Sequence, residues 1–363
     1  MASRMERKSV YLFLVLGIAV GLIVGCGQEE LEESKPWMDD VLSPAVVKHM
    51  PEWDRMLTPL IKESIDEIEE EQRQETGETD TAGQADVTAK IIEEGKTAYV
   101  SIRSFDGDSY DDDKEQLFSF YQAVRGYDNL IIDITENDGG GMGYYRELIV
   151  APNIDRPLYW LNYLFMKDGA NNRKYSPDGE EGFLALDTPP EQVREGMLSC
   201  LDEEDKEAAG PLLASVGIPA GMNEGDLRDL DLYKPSLNSI KPSAGKKMFD
   251  GRIWVLVSGQ VYSASESFAT FCKATGFATL VGTRTRGDGI GSTPPYFVLP
   301  NSGLVGRYSI IYGVTQDGRG SEEFGTEPDD ISPDGESALD TCLRVIEAGT
   351  DAALQRQMRR PDE

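Results

Sequence analysis

Arg252-Ile253-Trp254-Val255-Leu256-Val257-Ser258-Gly259-Gln260-Val261-Tyr262-Ser263-Ala264-Ser265-Glu266 is the stretch on which the fold reading turns. Residues 252–258 form an apolar run that reads as a buried strand. From Ser263 to Thr275 the pattern becomes amphipathic at helical spacing. A serine on a strand-to-helix turn is where many serine hydrolases keep their nucleophile, and helix amides there point at any oxyanion that forms. The same residues also fit the S-x-x-E capping box, in which Ser263 and Glu266 would satisfy each other's backbone amides. Ser263 is thus a nucleophile on one reading and a helix cap on the other.

Outward from this corner the pattern is α/β. Val87 to Ile92, the turn Glu93-Glu94-Gly95-Lys96 and Thr97 to Ile102 read as a hairpin. Lys114 to Tyr127 is helical, with Leu117, Phe118, Tyr121 and Val124 on one face. Asn129 to Asp133 is a short apolar strand, and a glycine-rich loop, Asn137 to Gly143, follows it. No lysine of the phosphate-loop type comes after that loop, which removes the usual reason to expect a nucleotide. Further on come a strand at Ala278–Gly282, strands at Tyr296–Leu299 and Gly303–Ile311, and a closing helix, Glu336–Ala348. Residues 152–248 yield only a helix around 190–203. Asp288, between Gly287 and Gly289, reads locally as a turn residue.

The 363 residues hold 65 acidic and 35 basic side chains, a net charge of −30. Such a surface repels nucleic acid, which is excluded as a partner. At the start, Arg4, Arg7 and Lys8 precede an apolar run, Val10 to Val24, that closes on Gly25-Cys26. This is the form of a bacterial lipoprotein signal: residues 1–25 are removed, and lipid on Cys26 holds the chain at the extracytoplasmic face of the cell membrane. An uncleaved N-terminal anchor is the plainer alternative. Residues 26–86 read as an acidic tether, a helical subdomain over about 40–74 and a polar linker, 87–350 as the main domain, and 351–363 as a polar tail. Cys200, Cys272 and Cys342 remain besides Cys26, and His49 is the one histidine. No metal-ligand spacing arises from them, and neither a metal nor another cofactor is expected.

Four segments resemble the C-terminal-processing, or tail-specific, serine protease family. They are Tyr99-Val-Ser-Ile-Arg-Ser-Phe105; Leu130-Ile-Ile-Asp-Ile-Thr-Glu-Asn-Asp-Gly-Gly-Gly141; Ser263-Ala-Ser-Glu266 with Leu280-Val-Gly-Thr-Arg-Thr-Arg-Gly287; and Glu322-Glu-Phe-Gly-Thr-Glu-Pro-Asp329. The resemblance spans about residues 90–347. It implies a ClpP/crotonase-like core of stacked sheets and helices, behind the helical N-terminal subdomain. It implies a peptide or protein substrate, with Ser263 as nucleophile and the amides of Ala264 and of Gly139 or Gly140 as the oxyanion hole.

The base positions depart from the family. Asp288 stands where one branch carries its lysine, and Ser292 where a glutamine orients that lysine. Ser101 stands where the tricorn-like branch carries histidine, and Thr135 replaces the arginine of the glycine loop. Glu322 matches the tricorn-like branch's acidic partner. Asp288 becomes a candidate base if burial or Glu322 raises its pKa; His49 is a second candidate. No segment resembles the PDZ module many relatives insert. The expected function is a serine peptidase acting through a Ser263 acyl-enzyme. The alternative is a non-catalytic relative that binds a peptide or small ligand. A solute-binding lipoprotein would need two similar α/β lobes, which the pattern lacks.

Overall fold

The computed structural model describes residues 86–107, 109–175, 182–222, 224–292, 296–298, 305–307 and 309–358. The signal segment, Cys26, His49 and the expected helical subdomain lie outside them. The chain divides into two compact units. One comprises Ala85–Met166, Phe183–Gly291 and Ile311–Glu363; the other comprises Met1–Gln84, Lys167–Gly182 and Ser292–Ile310. In the described part of the second unit, Tyr296–Val298 pairs antiparallel with Val305–Arg307.

The first unit is built on a six-stranded sheet. In chain order its strands are β1 (Val87–Glu93), β2 (Thr97–Ile102), β3 (Asn129–Asp133), β7 (Arg252–Val257), β8 (Thr279–Gly282) and β12 (Asp330–Ile331), and they lie side by side in that order. β1 and β2 form the expected hairpin, and every later pairing is parallel. The continuous apolar runs have a direct consequence in β3 and β7, because successive side chains point to opposite faces. Leu130, Ile132, Val255 and Val257 enter a core on one face with Phe268 and Phe271, while Ile131, Trp254 and Leu256 enter a second core with Cys342 on the other.

Helix α1 (Tyr110–Ala123) and the nucleophile-side helix α4 (Ala264–Thr275) supply the first core; the closing helix α6 (Ala338–Met358) covers the second. α1 begins four residues before the sequence pattern suggested. Asp111, Asp112 and Asp113 fill its first turn, where the helix dipole favours acids.

The stretch that resisted local reading supplies three strands of a second, antiparallel sheet, ordered β11 (Tyr312–Thr315), β4 (Leu158–Met166), β6 (Leu232–Ile240) and β5 (Leu184–Ala185). β4 pairs with β6 over nine residues, and the short β5 and β11 flank them. The one helix expected around 190–203 is two: α2 (Pro190–Ser199) and α3 (Glu203–Leu213). Asp202 divides them, its carboxylate accepting the Asp205 amide at 2.8 Å to cap α3. Both helices pack on this sheet through Val193, Ala209 and Leu213.

Candidate active site

Ser263 ends the turn between β7 and α4 with φ 57° and ψ −121°. L side chains rarely adopt this region, and it differs from the extended backbone that lets an N-cap serine bond its own helix. The Ser263 hydroxyl accordingly makes no capping bond. Glu266 does not reach back either: the Ser263 N–H donates to Gly287 O at 3.2 Å, and Glu266 is buried. The capping box permitted by the spacing is not formed. Ser263 is left half-buried, with a hydroxyl that has no hydrogen bond among the described residues.

The glycine loop forms one wall. Asn137 is fully buried; its Nδ2 donates to Ile102 O at 3.1 Å, and its Oδ1 accepts the Gly139 amide at 2.9 Å. A Cβ at Gly139 would lie 2.8 Å from Ser263 Cβ and 3.3 Å from the Ala264 nitrogen, so only glycine lets the loop come this close. The loop is clamped on both sides. Phe105 N–H donates to Gly139 O and Gly141 N–H to Phe105 O, each at 2.8 Å, while Ser265 Oγ donates to Asn137 O at 2.7 Å. The Gly139 amide is therefore committed to Asn137. The amides of Gly140 and Ala264 donate to no acceptor among the described residues, and these are the two available to an oxyanion.

The other wall is acidic. Gly287-Asp288-Gly289 runs beside the Ser263 turn, with a parallel bridge between Tyr262 and Gly287. Asp288 has φ 63°, a left-handed conformation Asp tolerates better than most. It brings its carboxylate to both Tyr262 and Glu322. The hydrogen bond to Asp288, followed by burial, pushes the Tyr262 hydroxyl up to about 12. Partial burial, the Asp288 charge and a hydrogen bond to Asp288 raise the Glu322 carboxyl above the usual range. The structure places Asp288 beside Glu322, and adds Tyr262, which sequence reasoning missed. The Arg286 guanidinium lies 5.0 Å from the Tyr262 ring centroid.

Ser101 lies in β2, paired with Asp133 and beside Tyr99. Thr135 is occupied with Asp133, to which its N–H and hydroxyl donate at 2.9 and 2.7 Å. Ser292 begins the 292–310 stretch of the other unit. Among the described residues, no group of three or more His, Cys, Asp or Glu side chains is placed to hold a metal ion, and no helix is long and apolar enough to cross a membrane.

Residues 96–332 match the model of peptidase family S41. No curated protein sequence matches the chain. Among solved structures, a candidate peptidase from Parabacteroides merdae is 20% identical, with 72% of this chain and 64% of that one covered and a TM-score of 0.46. Mature CPAF complexed with lactacystin is 22% identical (74% and 53% covered, TM-score 0.44). The photosystem II D1 C-terminal processing protease is 15% identical (72% and 52% covered, TM-score 0.39). The chain spans 64% of the first of these and about half of the other two.

Proposed function

This chain belongs to peptidase family S41, and from that premise we propose that it is a lipid-anchored, extracytoplasmic serine peptidase of the tail-specific type. One observation carries the reading: Ser263 holds a strained backbone, and neither its hydroxyl nor the two neighbouring amides have a hydrogen-bond partner among the described residues. In the proposed reaction Ser263 Oγ attacks the scissile carbonyl of an extended peptide. Its proton passes to the Asp288 carboxylate, which Glu322 and Tyr262 hold. The Gly140 and Ala264 amides receive the oxyanion. The proton then goes to the leaving amine, and water releases the acyl group from Ser263 by the same route.

Among the described residues no base is hydrogen-bonded to Ser263, which favours a second reading, a non-catalytic relative that binds a peptide or small ligand. Fluorophosphonate labelling of the detergent-solubilised full chain decides between them. Labelling of the wild type but not of Ser263→Ala, with peptide cleavage somewhere in the range of about pH 5 to 9, supports the enzyme. No Ser263-dependent labelling and no cleavage leaves the binding protein. The anchor is tested separately: Cys26→Ala should abolish incorporation of labelled palmitate and release the chain from membranes.

A further inference from the structure

Glu266 is the one member of Ser263-Ala264-Ser265-Glu266 without a part so far at the Ser263 turn. Ser263 carries the hydroxyl, Ala264 an amide, and Ser265 fastens the turn to the glycine loop. Glu266 is 1% exposed and lies one helical turn below the nucleophile. Its Oε1 accepts the Thr326 hydroxyl at 2.7 Å and the Thr270 hydroxyl at 3.4 Å. Thr326 in turn pairs with Thr285: the Thr326 N–H donates to the Thr285 hydroxyl at 2.6 Å, and the Thr285 N–H to Thr326 O at 3.1 Å. Thr285 precedes the Gly287–Gly289 loop and Thr326 follows Glu322, so one carboxylate touches the connections to both acidic segments.

Packing closes the arrangement. A Cβ at Gly289 would lie 2.7 Å from Glu266 Cγ, and one at Gly287 would lie 2.4 Å from Ser321 O. The Gly289 N–H also donates to Ser321 Oγ at 3.1 Å. The Asp288 loop is therefore held between the first turn of α4 and the Ser321–Glu322 segment. Burying a carboxylate is costly unless it is hydrogen-bonded; burial pushes this one above the usual range against the opposing threonine hydrogen bonds, and its Oε2 has no partner among the described residues.

We propose that Glu266 is a positioning residue that fixes the distance of Asp288 and Glu322 from Ser263. This deepens the peptidase reading and rests on it. Glu266→Gln keeps a carbonyl oxygen for Thr326; Glu266→Ala removes it and leaves the buried Thr270 and Thr326 hydroxyls, 3.2 Å apart, only each other. Cys342→Ala, in the core on the opposite face of the sheet, serves as a control for general destabilisation.

The test uses the full-length protein with two readouts: peptide hydrolysis and fluorophosphonate labelling on one side, amide hydrogen exchange on the other. Glu266→Ala should lower kcat and the labelling rate at least ~10-fold with KM within about twofold, and Glu266→Gln should stay within about threefold of wild type. Exchange should quicken in 285–290 and 320–326 of the alanine variant and stay unchanged in β3 and β7. The proposal is overturned if Glu266→Ala labels no more slowly than Cys342→Ala, or if exchange in both acidic segments is unaltered. A wild type that does not label defeats the peptidase reading alone. Exchange then decides whether Glu266 holds the two segments: faster exchange upholds it, and unchanged exchange overturns it.

Discussion

The two walls of the Ser263 turn are made of different material. The glycine-loop wall is backbone: Asn137, Phe105 and Ser265 fix its amides and carbonyls through hydrogen bonds between 2.7 and 3.1 Å. The Asp288 wall is side chains: two carboxyls and a phenol that perturb one another. A backbone wall does not change with pH, because peptide groups do not titrate. A carboxyl wall does, and its geometry depends on which member holds the proton. The first wall looks finished for its task in the resting protein; the second is tuned by its surroundings.

The sharpest way to break this contrast is Gly140→Ala. The added Cβ would sit 2.4 Å from the Phe105 carbonyl carbon at a φ of +125°. It should displace the oxyanion amide and lower kcat by ~10² to 10³, with a lower Tm; activity at the wild-type level would show that the glycine wall is not the oxyanion site. Asp288→Asn comes next. Asn accepts the left-handed backbone as readily as Asp, so the fold should stand while kcat falls ~10²-fold or more through loss of a general base. Equal rates in the two proteins would remove Asp288 from the reaction. Tyr262→Phe deletes one hydrogen bond to Asp288, and a kcat loss of about 3- to 10-fold is expected in peptide cleavage.

The smallest effect is one of stability. Glu322 has a folded pKa above its unfolded value, so it binds its proton more tightly in the native state. Its contribution is present below the unfolded pKa and fades as pH rises through the folded one. Glu322→Gln should therefore gain in Tm relative to wild type as pH rises from about 4 to 8. Melts at several pH values that run parallel would show that Glu322 is not perturbed.

The two walls also differed in how far the sequence disclosed them. The glycines declared the first, because few other residues allow backbone to approach Ser263 so closely. The second was legible as two acids, Asp288 and Glu322, but their joining depends on Tyr262 and on segments more than thirty residues apart. The capping-box reading of Ser263 failed for a local reason: the pattern specifies residue types but not the positive φ that turns the hydroxyl away. Strands β3 and β7 were readable because a sheet covered on both faces needs unbroken apolar runs. β4 and β6 were not. Their pairing spans a long separation, and Leu232–Ile240 contains Lys234, Pro235, Ser236 and Asn238, which suggest a loop to any local rule. Pro235 lies past the two β6 residues that pair with β5, on a stretch with β4 as its one partner strand in the sheet.

The positive φ of Ser263 bears on how this corner could decay. A non-glycine residue held there costs the native state about 1–3 kcal/mol, and among the described residues no hydrogen bond of its hydroxyl offsets that cost. Glycine would occupy the same turn without the steric strain. If the hydroxyl had no chemical task, random substitution would meet a downhill path in folding free energy at this one position. A serine at Ser263 is thus the less stable choice for the fold, and its presence is more economically explained by use than by packing.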